Sequence, residues 1–125
     1  MTTPEAAHAE RIGQARAHLL AAGAEGLAPR PWQHRTQPPD DVDLVRYAAW
    51  LAREPDVEAE VVLAGARLLA EARSELDRIE SALLFAARAA GSTFPELAEA
   101  LGLRSAQAAQ QRLGRISART DGSGR

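Results

Sequence analysis

Between Val57 and Ala90 the chain runs for 34 residues with no proline and a single glycine, Gly65. Small or apolar residues recur through it at Val62, Gly65, Leu69, Ala72, Leu76, Ile79, Leu83, Ala86 and Ala90, alternately three and four apart. That spacing keeps one face of an α-helix apolar and has the heptad period of a coiled coil, so it predicts one continuous helix over residues 57–90. Such a helix is about 50 Å long at about 1.5 Å per residue, against a radius of gyration of about 14 Å for a compact chain of this size. Its seam, with Val62, Leu69, Leu76, Ile79 and Leu83 as the large members, needs a partner. The choice lies between a homodimer, which the length favours, and an intramolecular bundle with the first two helices.

The remaining composition agrees with an all-α fold. Apolar residues make up 46% of the 125, but only 4% are aromatic, and alanine dominates, which suits close-packed helices better than sandwiches or barrels. One domain with a core, or a small module on a longer scaffold, fits this length. With no cysteine, disulfides, thiolate zinc sites and a cysteine nucleophile are all excluded, and a reducing cytoplasm fits. No apolar run approaches the roughly 20 residues of a membrane span, and Met1 to Glu10 lacks the basic and apolar regions of an export signal, so no membrane partner is expected.

Ahead of the long segment, residues 1–23 predict a weakly amphipathic helix from Pro4 to Ala22 with Ile12, Ala15, Leu19 and Ala22 on one face and Gly23 at its C-terminal cap. Residues 24–40 form a linker rich in proline and glycine, either a hinge or an ordered loop. Trp32 is expected to anchor that loop; alternatively Arg30 and Arg35 form a basic arm for a minor groove. Asp40, Asp41 and Asp43 suit a helix N-terminus, and Val42, Val45, Ala49 and Ala52 predict the buried face of a second helix ending near Glu54. Tyr47 and Trp50 on that helix are expected in a core or interface. From Arg53 to Glu80 four arginines stand against eight acids, including Glu71, Glu75, Asp77 and Glu80, so this scaffold over residues 41–90 should repel DNA.

Residues 91–119 carry the most specific local signals. Gly91 suits a left-handed cap, and Thr93, Phe94, Pro95 and Glu96 spell a capping box with proline in the first turn. A short helix from Phe94 to Leu101 then buries Leu97, Ala98 and Leu101. Gly102 and Leu103 turn the chain, and Ser105 caps a last helix that turns Ala106, Ala109, Leu113 and Ile116 inward and ends near Arg119, with 120–125 as a tail. Gln107, Gln110, Gln111, Arg112 and Arg115 fall on its outer side, between Arg104 and Arg119. Glutamine can bond adenine through N6 and N7, and arginine can bond guanine or phosphate. Five arginines against one aspartate from Arg104 onward give a basic end to an acidic scaffold. This pattern predicts a helix-turn-helix with the last helix in the major groove; the alternative is a solvated terminal helix.

Leu76 to Ile116, about a third of the chain, resembles small helix-turn-helix proteins of high-GC bacteria, whose signature is a long ELDxxE helix, an AARAAG turn, a W/F-x-E-[LI]-A-x-A-L-G motif and a QAAxxR recognition helix. All 15 basic residues being arginine agrees with GC-rich codons. The resemblance implies a DNA-binding regulator or nucleoid-associated protein in the cytoplasm. The turn from Gly102 to Gln107 carries one residue more than many helix-turn-helices, and residues before Asp40 have no counterpart.

No catalytic constellation, metal site or cofactor is expected. His8, His18 and His34 lack ligand spacing, and the carboxylates lie on exposed helical faces. The expected partner is double-stranded DNA, held at phosphates by Arg104, Arg112, Arg115 and Arg119, with Ser105 at the helix start and Gln107, Gln110 and Gln111 reading bases. Two such modules on a dimer would meet successive major grooves about 34 Å apart. The alternative function is an adaptor whose acidic long helix binds a transcription component, the helix-turn-helix being only structural.

Overall fold

The computed structural model describes residues 2–34 and 36–123, with side chains through residue 115. Helices α1 (Pro4–Ala21), α2 (Asp41–Leu51), α3 (Ala59–Arg67), α4 (Leu69–Ala89), α5 (Phe94–Leu101) and α6 (Ala106–Ser123) follow in order, with a 3-10 turn at Ala24–Gly26. No strand occurs among the described residues, and the fold is all-α. Two compact units divide it, Met1–Glu75 and Leu76–Arg125. The boundary falls inside α4.

In the first unit Thr3 caps α1, its hydroxyl accepting the Ala6 amide at 3.0 Å, and Pro4 occupies the first turn, where its missing N–H costs nothing. Ile12, Ala15 and Leu19 are buried as their spacing predicts, while Ala22 lies beyond the helix and is exposed. Asp40 caps α2 by accepting the Asp43 amide at 2.8 Å. The buried face of α2 differs from the expected one. Leu44 and Ala48 are buried, Val42 and Val45 only partly, and Ala49 and Ala52 are exposed. The cause is a fork-on-carboxylate pair: Arg16 on α1 donates from Nε and Nη2 to the two Asp41 oxygens, both at 2.8 Å. Asp41, Leu44 and Ala48 stand three and four apart, so the side of α2 that holds α1 by this pair also carries Leu44 inward.

The described residues of 24–40 form a loop that begins with the 3-10 turn at Ala24–Gly26. Its anchor is Arg30, which bonds both Asp43 oxygens at 3.1 Å, and Gln33, which accepts the Arg30 amide at 2.9 Å. Trp32 is 75% exposed and anchors nothing, since the loop closes through polar groups. With Arg30 so engaged, the basic-arm alternative keeps only Arg35, which lies outside the described residues.

The long segment is not one continuous helix. At Leu68 the amide turns back to Gly65 at 3.1 Å, a tighter bond than the α-helical one, and the helix resumes as the Ala72 amide reaches the Leu68 carbonyl at 2.9 Å. The break seats Leu68 with no exposed surface among Ile12, Leu19, Leu44, Val61 and Ala64. Two apolar registers one residue apart compete in this segment, and the core selects Val61, Ala64, Gly65, Leu68 and Ala72. Val62, Leu69, Leu76, Ile79 and Leu83 of the expected seam are consequently exposed, whereas Gly65 and Ala72 are buried. Gly65 has its own reason: a methyl group there would collide with the Ala48 methyl, so glycine lets α2 and α3 approach.

The second unit follows the local signals closely. Gly91, at φ +98°, ends α4 with its amide on Arg88 and the Ser92 amide on Ala87, at 3.0 and 2.9 Å. The capping box at Thr93 and Glu96 is fully formed. Gly102, at φ +69°, ends α5 in the same manner, with the Leu103 amide on Ala98 at 2.8 Å. Leu84, Leu97, Ala98 and Ala109 form the core, flanked by Phe94, Leu101, Leu103 and Leu113. Burying Leu84 and Leu97 contributes about 1.5–3 kcal/mol each; with two alanines completing the core, caps of about 1 kcal/mol are a substantial share. The backbone helix of α6 continues to Ser123, past Arg119 and into the expected tail. The side chains of Ile116 and Arg119 lie outside the described residues.

Candidate nucleic-acid interface

Residues Gly102–Ser105 join α5 to α6. The Ser105 hydroxyl accepts the Ala108 amide at 3.1 Å and opens α6, so this residue serves as the helix cap. Ala109 is buried and Ala106 and Leu113 are half-buried against α5, which fixes the rotation of α6. Gln107, Gln110, Gln111 and Arg115 are exposed on the other side, and Arg104 is exposed in the turn. Gly114 lies among them, and among the described residues nothing comes within reach of a side chain added there.

Arg112 behaves differently from its neighbours. Its Nη2 lies 2.8 Å from Glu80 Oε1 on α4, with the glutamate side chain 17% exposed. The spacing placed Arg112 on the outer side, but at the margin of a helical face a long side chain can turn either way. A half-buried carboxylate draws it inward. Arg104 and Arg115 have no ion-pair partner among the described residues. From Ala106 to Arg115 α6 carries no acid, so its outer face combines amide groups with unpaired guanidinium charge.

Two carboxylates sit on α5. Glu96 is held in the capping box, where the Thr93 amide and hydroxyl each donate to Oε1 at 2.9 Å. Those donors hold its carboxyl below the usual carboxylate range, the backbone amide first. Glu99 is exposed, a negative charge in the same unit that a count from Arg104 onward leaves out.

Sequence reasoning missed Arg88. Its guanidinium lies 4.2 Å from the centre of the Phe94 ring and donates to the Ser92 carbonyl at 2.8 Å, bridging the end of α4 to the start of α5. A basic residue in the last helical turn, six before an aromatic, was the available signal. In the first unit, Tyr47 is half-buried with its hydroxyl on the Ala22 carbonyl at 3.4 Å, while Trp50 is exposed at 5.7 Å from it between ring centres. Neither lies in the core clusters' centre; Tyr47 packs at the margin.

An open cleft of about 530 Å³ lies beneath the loop, lined by Leu20, Leu27, Pro38 and the Arg30–Asp43 pair. Among the described residues no group of three or more His, Asp or Glu is placed to hold a metal ion, and no helix is long and apolar enough to cross a membrane. Compared with family models, curated proteins and solved structures, the chain matches none.

Proposed function

We propose that this chain is a DNA-binding protein, a regulator or nucleoid-associated protein that acts by occupying duplex DNA with the outer face of α6 and performs no catalysis. The observation that carries this is the composition of that face: Arg104, Gln107, Gln110, Gln111 and Arg115 are all exposed, and no acid lies on α6 among them. Arg104 and Arg115 supply phosphate contacts, and the glutamines supply paired donors and acceptors for base edges. Arg112, held by Glu80, orients α6 rather than touching phosphate. The resemblance of residues 76–116 to bacterial helix-turn-helix proteins supports the same assignment.

Nothing specific favours the adaptor alternative in its acidic form. Glu71 lies 3.7 Å from His8, Glu75 accepts the Val42 amide at 3.1 Å, and Glu80 holds Arg112, so these acids are engaged within the chain.

Titration of isotope-labelled protein with a mixed-sequence duplex, followed by backbone amide shifts, tests the assignment. Shifts concentrated between Arg104 and Arg115 are expected. Shifts confined to α1–α3, or none at low salt, would overturn it.

A further inference from the structure

Within the first unit, Trp50 is 57% exposed on α2, but its ring does not stand alone. Its centre lies 5.7 Å from that of Tyr47, about one helical turn earlier, with the two planes 39° apart. Both rings line an open groove of about 460 Å³, together with Leu27 and Gly23 from the turn that follows α1. The Tyr47 ring is fixed from its far end, where the hydroxyl donates to the Ala22 carbonyl at 3.4 Å. Gly23, at φ +130°, leaves room for that hydroxyl, and a methyl group there would collide with it. The aromatic lining is therefore set in place before any ligand arrives. Three charged residues also line the groove: Arg30, Asp43 and Arg46. Arg30 bonds both Asp43 oxygens, so those two charges cancel. Arg46 is exposed and has no ion-pair partner among the described residues, which leaves the lining with one positive charge.

We propose that this groove binds a small aromatic carboxylate, with its ring against Trp50 and Tyr47 and its carboxylate on the Arg46 guanidinium. Sites for small molecules enclose about 300–1,000 Å³ and combine a mostly apolar lining with a few placed polar groups, as this groove does. Two tilted rings offer a third ring offset-stacked and edge-to-face contacts that an aliphatic chain of equal size does not gain. Such rings would suit a cation as well, but Arg46 repels one. A guanidinium instead matches the planar carboxylate with two parallel hydrogen bonds. This inference is independent of DNA binding, and its test contains no nucleic acid.

The two tryptophans make the test internal to the full chain. Trp32 does not line the groove and serves as the control for Trp50, the two indole N–H signals being assigned with Trp32→Phe. Isotope-labelled protein is titrated with naphthoate, with naphthalenemethanol as the uncharged analogue and with cyclohexanecarboxylate as the saturated one. A saturable shift of the Trp50 indole with a dissociation constant below about 1 mM is expected for naphthoate, with Trp32 unmoved. Both analogues should bind at least about tenfold more weakly, as should naphthoate to Arg46→Gln, since each loses the charged hydrogen bonds or the ring contacts. Arg46 is exposed, so the variant should keep the helix content of the parent by circular dichroism. The analogues compare ligands on the unaltered chain and decide the matter without it. A Trp50 signal that does not move, equal movement of Trp32, equal affinity for either analogue, or unchanged affinity in a folded Arg46→Gln would each overturn the proposal.

Discussion

Two neighbouring arginines of the second unit have unlike surroundings. Arg112 and Arg115 are three residues apart on α6, yet one is paired with a half-buried glutamate and the other is exposed. Arg112→Ala should therefore destabilise the unit by about 1 kcal/mol, as expected for a partly exposed pair, measurable by urea denaturation. Arg115→Ala should leave stability within about 0.5 kcal/mol of the parent and weaken DNA binding. The depressed Glu96 carboxyl gives a pH dependence of defined sign. Folding favours its ionised form, so its contribution is complete above the ordinary carboxylate pKa and is lost as pH falls through the lower folded value. Between pH 7 and pH 3 the stability difference between the parent and Glu96→Ala should shrink; a difference that grows on acidification would contradict the capping role.

At the scale of elements, the close passage of α2 and α3 depends on Gly65. Gly65→Ala gains up to about 1 kcal/mol in helix propensity, but its methyl group meets that of Ala48. Overpacking costs about 1–3 kcal/mol. Net destabilisation with a lower melting temperature is expected, and Ala48→Gly in the same chain should restore part of it. Such elements also show how far the sequence could be read. The start of α5 and both ends of the α5–α6 turn were legible because each rests on a local device: Thr93 with Glu96, Gly91, Gly102 and Ser105. Faces were less legible. On α2 an ion pair from another helix chose Leu44 over Val42, and in the long segment a core contributed by α1 and α2 chose Leu68 over Leu69. Neither choice is local, so periodicity alone left two registers of similar apolarity. The break at Leu68 has no proline or adjacent glycine to announce it. At the candidate interface, the exposed Gln107, Gln110, Gln111 and Arg115 followed from spacing, whereas the inward turn of Arg112 required the position of Glu80 on another helix.

Across the whole molecule, charge is divided between the units. Residues 1–75 carry eight arginines against twelve acids, and residues 76–125 carry seven against five. Many acids of the first unit are committed to its own fold, as Asp41 is to Arg16 and Asp43 to Arg30. Affinity for DNA carried by the second unit should fall with salt in proportion to the phosphates it neutralises, with a slope of about −0.9 per phosphate on logarithmic axes. Removing both Arg104 and Arg115 should flatten that slope by about 2. The most direct measurement is the fluorescence anisotropy of a labelled mixed-sequence duplex titrated at two salt concentrations with the parent and with the Arg104→Ala, Arg115→Ala double variant. Binding by the parent that weakens with salt, and a variant that binds weakly with a flatter dependence, are the predicted results. Equal affinity and equal salt dependence of the two proteins, or no binding by either at low salt, would contradict the assignment of α6 as a DNA-contacting helix.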